Sequence, residues 1–189
     1  MRIPGILVSP TLTIPHAELE HMERTRLLMG RFYDWLRYYG LLPIHVPPPL
    51  RNDLCRAAAV HDIGKTLIPA NILDKPGKLT PAEFEIIQEH TWRGATLLQQ
   101  QEDVGPLALE VCRCHHERWD GTGYPDGLSG AAIPYPARLM AVLDVYDALT
   151  HERPYKGAFS KDAALRIIKQ GCGTQFDPAI GGAFINFME

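Results

Sequence analysis

Five of the eight histidines in this 189-residue chain, His21, His61, His90, His115 and His116, fall on or beside segments with helical patterning. Two aspartates, Asp62 and Asp144, stand on elements that could converge with them. Imidazole and carboxylate together suit a borderline divalent metal such as iron, manganese, cobalt, nickel or zinc better than calcium or magnesium. The adjacent pair His61-Asp62 is the most informative, because neighbouring residues at a helix end diverge by about a third of a turn. The histidine can then face one cation while the carboxylate reaches between two. Taken singly, His21 or His90 reads as an ordinary surface or core histidine, and His115-His116 as a solvated loop edge. Asp144 lies within Val142-Leu143-Asp144-Val145-Tyr146, where an unpaired buried carboxylate carries a heavy desolvation cost. It needs a cation or good donors. The weight lies in the joint arrangement of all seven residues.

The elements that must position these residues are helices. Apolar residues recur at helical spacing from about Ala17 to Tyr39 (Met22, Leu27, Leu28, Phe32, Trp35, Leu36), and Gly40 follows in the place of a helix-ending glycine. Leu41 to Pro49 is rich in proline and interrupts the pattern. Leu50 to Ile63 resumes it, so a second helix ends at His61-Asp62, and Gly64 closes it. Thr80-Pro81-Ala82-Glu83 carries a capping-box signature for a helix running to about Gln101. Further helices are expected near Pro106 to His116, Pro136 to Thr150, Ser160 to Gln170, and from Asp177-Pro178 onward. No period-2 strand, internal repeat or low-complexity segment stands out, so the predicted class is all-α.

Bulk properties narrow the function. A chain of this length with 46% hydrophobic residues is expected to build one core, with residues 1–16 as leader or linker remnant and 17–189 as the domain. The formal net charge of -3 supplies no general basic field, which argues against long duplex DNA as a partner. The four cysteines form no CxxC pair, no signal peptide is legible, and no run approaches the length of a membrane span, so a cytoplasmic setting is expected.

The spaced motifs resemble those of one family. His61-Asp62-Ile63-Gly64-Lys65, then His90, then His115-His116-Glu117-Arg118-Trp119-Asp120-Gly121-Thr122-Gly123-Tyr124-Pro125, then Asp144-Val145-Tyr146-Asp147-Ala148-Leu149, closely resemble the HD-GYP phosphodiesterases, a branch of the HD superfamily of metal-dependent phosphohydrolases. Ile68-Pro69 to Leu73, Lys75 to Leu79, Arg153-Pro154-Tyr155-Lys156 and Gly173 to Pro178 extend the likeness from roughly Ala17 to the C-terminus.

The resemblance implies an HD-domain bundle of about seven helices with a Gly/Pro-rich active-site loop. It also implies hydrolysis of cyclic di-GMP to pGpG, in some members onward to GMP, with a mixed cyclic GMP-AMP as another family substrate. By position, His21, His61, Asp62 and Asp144 match the superfamily's metal set, His90, His115 and His116 match the second site, and Asp62 matches the bridging carboxylate. Three-metal members carry a glutamate four residues before the first ligand histidine. Here that residue is Ala17, so two divalent transition-metal ions, iron or manganese first, are expected rather than three. Glu18 stands three residues before His21, close enough on a helix surface to compensate in principle.

Two such cations bring more positive charge than two carboxylates return, so the site attracts a phosphodiester without a basic surface. Water shared between metals about 3.5–4 Å apart loses a proton readily and attacks phosphorus in line. The resemblance assigns catalysis to Asp62 and Lys65, and substrate binding to Lys65, Tyr124, Arg153 and Lys156. Tyr124 either lines the nucleotide site or belongs to a surface, Gly123-Tyr124-Pro125, that docks a diguanylate cyclase domain. A homodimer is compatible with the sequence. The rival readings are a catalytically silent nucleotide- or partner-binding signalling module, and an HD phosphohydrolase for another nucleotide. Retention of all seven His and Asp positions argues against the first, and the GYP and Arg153–Lys156 motifs against the second.

Overall fold

The computed structural model describes residues 14–43, 51–101, 104–152 and 157–189. Among them the chain is helical throughout: α1 (His16–Tyr38), α2 (Arg51–Ala58), α3 (Ala70–Leu73), α4 (Pro81–Gln88), α5 (His90–Gln99), α6 (Pro106–Cys114), α7 (Tyr135–Thr150), α8 (Lys161–Gly171) and α9 (Pro178–Met188), with short 3-10 turns at Ile63–Leu67 and Gly130–Ala132. Extended pairing among the described residues is limited to isolated bridges, Asp120 with Ser129 and Cys172 with Phe176. The expected all-α class is therefore observed.

Local chemistry explains most of the boundaries. At the end of α1, Gly40 adopts φ +65°, and the Leu41 amide reaches back to the Leu36 carbonyl at 2.9 Å, the six-to-one bond of a glycine-ended helix. Thr80 accepts from the Glu83 amide while the Glu83 carboxylate accepts from the Thr80 amide at 2.8 Å, so the expected capping box is formed. Asp177 caps α9 through bonds from the Ala179 and Ile180 amides at 2.8 and 3.3 Å.

α7 is the axis of the bundle. Its run Ala137 to Asp144 is nearly all buried, the mark of a helix surrounded by others. α1, α6, α8 and α9 pack around it, and α2 joins α1 to α6. Phe32, Phe184, Met29 and Leu143 fill the interior with no exposed surface. Cutting Phe32 back to alanine would cost about 3–5 kcal/mol in transfer energy and cavity.

Two expectations change. The second helix stops at Ala58 rather than running to Ile63, and His61-Asp62 occupies a turn leading into a 3-10 segment. The reason is close packing: a Cβ on Gly64 would collide with the His90 carbonyl oxygen, and one on Gly94 would lie 2.6 Å from the Cys112 sulfur. Backbone meets backbone there, and a continued α-helix could not enter. The helix expected from Thr80 to Gln101 divides at Glu89, whose amide bonds to the Ile86 carbonyl three residues back. His90 thereby opens α5 instead of sitting mid-helix.

Candidate metal centre

His21 comes from the middle of α1, His61 and Asp62 from the turn after α2, and His90 from the first residue of α5. His115 caps α6 with His116 next to it, and Asp144 is on α7. The Gly64–Gly94–Cys112 contact draws the 3-10 turn, α5 and α6 together, which brings Asp62, His90 and His115 to one point. All seven residues converge. They form two groups, His21, His61, Asp62 and Asp144 on one side and Asp62, His90, His115 and His116 on the other, each with ligand atoms within 4.8 Å of one another. Asp62 belongs to both.

The orientation of the imidazoles makes this more than proximity. His61 Nδ1 donates to the Ala58 carbonyl at 2.8 Å, His90 Nδ1 to Ile87 at 2.7 Å, and His115 Nδ1 to Val111 and Cys112 at 3.0 Å. His21 Nδ1 meets Asp147 Oδ2 at 2.6 Å. Fixing the proton on Nδ1 leaves Nε2 as a lone pair on His61, His90 and His115, and the Nε2 atoms of all four histidines point inward. His21 and His61 Nε2 stand 3.2 Å apart, and His90 and His115 Nε2 3.4 Å apart. Asp62 divides its oxygens between the groups. Oδ2 lies 3.2 Å from His61 Nε2, while Oδ1 lies 3.2 Å from His90 Nε2 and 3.6 Å from His115 Nε2. Oδ1 is fully buried and has no hydrogen-bond partner. A carboxylate oxygen so placed among imidazole lone pairs fits a divalent cation, which would otherwise have to be replaced by costly buried protons.

A family model described as "HD domain" matches residues 12–180. The chain belongs to the HD-domain family. Its motifs place it with the HD-GYP branch. It is 43% identical over 171 residues, 87% of the chain and 35% of the relative, to a cyclic di-GMP phosphodiesterase of Vibrio cholerae serotype O1. It is 39% identical to a Thermotoga maritima cyclic di-GMP phosphodiesterase over 87% of the chain and 43% of that protein. A 3'3'-cGAMP-specific phosphodiesterase of V. cholerae matches at 42% identity over 66% of the chain and 27% of its own length. The chain spans about a third of the length of the first of these curated relatives. Among solved structures, an HDG"Y"P protein from Bdellovibrio bacteriovorus aligns with TM-score 0.68 at 19% identity, over 90% of the chain and 52% of the other, which shows a common fold.

The HD domain surrounds its cluster with charge. Burial alone would lower the His21 imidazolium, but hydrogen bonds to Asp144 and Asp147 and the charge of Asp62 raise it to about 10. Asp62 is held well below the usual carboxylate range, since Lys65 and His61 outweigh its burial, and His21 does the same for Asp144. His116 is pushed well below the ordinary histidine value by burial and by His115 beside it, so it is a neutral imidazole. Lys65 Nζ lies 2.7 Å from Asp62 Oδ2 and 3.0 Å from Glu18 Oε2, which raises its pKa despite burial. The i,i+3 contact with Asp62 follows from the 3-10 turn, in which such residues eclipse.

A cleft of about 280 Å³ opens over this centre, and Tyr124, His116, Asp144, Arg118, Phe84 and Gln175 are among the residues lining it. Tyr124 lies on His116 with ring centroids 4.8 Å apart and planes 29° from parallel. Trp119 is loop packing: its amide donates to Gln175, its carbonyl accepts from Gly130, and Arg138 sits over its ring at 5.8 Å. Arg153 and Lys156 lie outside the described residues.

Three residues that sequence reasoning passed over support the site. Asp147 binds His21 and receives Arg24 through two bonds of 2.8 Å, and its carboxyl is held down at about 2 against burial. The signal was its spacing, one helical turn beyond Asp144 on the same face. Glu117 is buried and accepts from the Asp126 and Leu128 amides at 2.7 and 3.0 Å, which folds the loop carrying Tyr124 back over the cleft.

Proposed function

We propose that this HD domain hydrolyses a phosphodiester bond of a cyclic dinucleotide, opening cyclic di-GMP to pGpG, with two divalent transition-metal ions, iron or manganese. The observation that carries the reading is the division of Asp62 between two groups of inward-facing imidazoles. The names of the relatives supply the substrate class, since both cyclic di-GMP and 3'3'-cGAMP phosphodiesterases are among them.

His21, His61, Asp62 and Asp144 would hold one ion and Asp62, His90, His115 and His116 the other. Bound there, the pair would supply Lewis acidity to the scissile phosphate and an acidified water as nucleophile. The chain's own work is to position. The Nδ1 bonds lock the imidazoles, so little reorganisation is needed when substrate arrives. Lys65, beside Asp62 and anchored by Glu18, presents an ammonium to charge developing on the phosphate. Its engagement of Glu18, together with Ala17 in place of a ligand, supports two ions rather than three. Tyr124 is held against His116 over the cleft, which favours a role in seating the nucleotide over a role in docking a cyclase domain. Arg153 and Lys156 would add phosphate contacts. No described helix is long and apolar enough to cross a membrane.

Incubating manganese- or iron-loaded protein with cyclic di-GMP and following pGpG and GMP by chromatography tests the proposal. Linear product is expected. Unchanged substrate with both metals, at full metal occupancy, would leave the silent-module reading in its place, and turnover of 3'3'-cGAMP alone would reassign the substrate.

A further inference from the structure

One wall of the cleft is not used by the metal-binding chemistry. α4 buries none of its eight residues, and Phe84 on its cleft side is 47% exposed, whereas Phe32, Phe176 and Phe184 are sealed in the core. An exposed ring is ordinary by itself; what sets Phe84 apart is that it lines the cleft over the metal-ligand cluster, where a bound ligand would recover the gain of burying it. Phe84 meets Tyr124 edge to face, centroids 6.2 Å apart at 83°, and Tyr124 in turn lies on His116. An aromatic surface therefore runs outward from the metal-ligand cluster to α4.

The polar groups beside it are of the kind a base edge needs. Gln88, one helical turn after Phe84, lines the same cleft, and so does Arg118. The Arg118 guanidinium is steadied by Thr122 Oγ1 at 3.0 Å and by Asp120 at 3.5 Å, which leaves other N–H groups for a ligand. A guanidinium matches the paired O6 and N7 acceptors of guanine, and an amide can both donate to and accept from a purine edge.

We propose that Phe84, with Tyr124, seats a purine base of the substrate, and that Gln88 and Arg118 address its polar edge. This rests on the cyclic-dinucleotide reading for its biological setting, but the subsite itself is a binding property. A base on Phe84 leaves its phosphate directed along Tyr124 toward His116 and the cations. Stacking tolerates any base, so Phe84 sets affinity for a nucleobase, and the polar pair sets preference among purines.

Calorimetric titration of manganese-loaded protein with GMP and with ribose 5-phosphate separates base recognition from phosphate recognition. GMP is expected to bind at least about tenfold more tightly. Phe84→Ala should weaken GMP by about tenfold, leave ribose 5-phosphate and metal content unchanged, and be rescued by Phe84→Trp. Equal affinity for the two ligands in the native protein, or native GMP affinity in Phe84→Ala, overturns the subsite. Circular dichroism of the variant checks folding, and the exposure of Phe84 predicts an unchanged melt. If the native protein discriminates GMP but never cleaves cyclic di-GMP, the catalytic reading falls and the subsite stands. If it cleaves and Phe84→Ala has the native KM, the subsite falls alone.

Discussion

The two halves of the Asp62 cluster are built by different means. The half containing His21, His61 and Asp144 is assembled across the whole chain: His21 meets its partner Asp147 from 126 residues away, and α1 and α7 must pack before the site exists. The half containing His90, His115 and His116 is made by one helix pair, with His90 and His115 25 residues apart. The outer supports differ as well. His21 is oriented by a carboxylate that is itself neutralised by Arg24, whereas His90 leans on the Ile87 carbonyl of the preceding helix α4 and His115 on main-chain carbonyls of α6. The first half thus gathers two carboxylates and a charged outer layer, and the second is neutral apart from Asp62. Charge favours cation affinity in the first half, while the second depends on the shared acid.

Removing the shared acid should break the comparison most completely. Asp62→Ala is expected to lower turnover by at least about a thousandfold and to empty the second site, read by plasma mass spectrometry of the purified protein. Retained activity would show that the bridge is misassigned. Asp147→Asn keeps the shape but removes the outer charge from the first half only. Metal affinity there should fall by about 10–100-fold, measured by competitive chelator titration, with the second site less affected. Equal weakening of both sites would mean that Asp147 acts on the fold rather than on His21.

How much of this was legible in the sequence follows from what each residue depends on. The Thr80 capping box, the Gly40 stop and the helix start at Asp177-Pro178 are set within a few residues, and all three stand as read. The end of α2 and the break at Glu89 depend on the backbone contact between Gly64 and the His90 carbonyl, across elements whose approach no local pattern reveals. The seven His and Asp positions were visible because spaced motifs mark them. Asp147 was quoted within its motif yet given no role, since hydrogen-bonding His21 from another helix is a tertiary fact. The role of Glu117 as a brace for the Tyr124 loop is likewise invisible without the turn it closes.

Smaller perturbations sharpen the contrast. Gly94→Ala places a methyl against the Cys112 sulfur and should cost about 1–3 kcal/mol. At roughly 2–4 °C per kcal/mol, a calorimetric melt resolves that loss. The second half should lose metal before the first does, because the contact lies between its two helices. Tyr124→Ala removes the ring that lies on His116 but takes no ligand from either half. It should leave both ions in place and raise KM for the cyclic dinucleotide several-fold, since it removes a stacking surface and no ligand.

The central claim is tested most directly by anomalous diffraction from crystals of the manganese-loaded protein. Two peaks are expected, one on the Oδ2 side of Asp62 among His21, His61 and Asp144, the other on the Oδ1 side among His90, His115 and His116. A single peak, or two peaks of which neither touches Asp62, would contradict the shared-carboxylate centre.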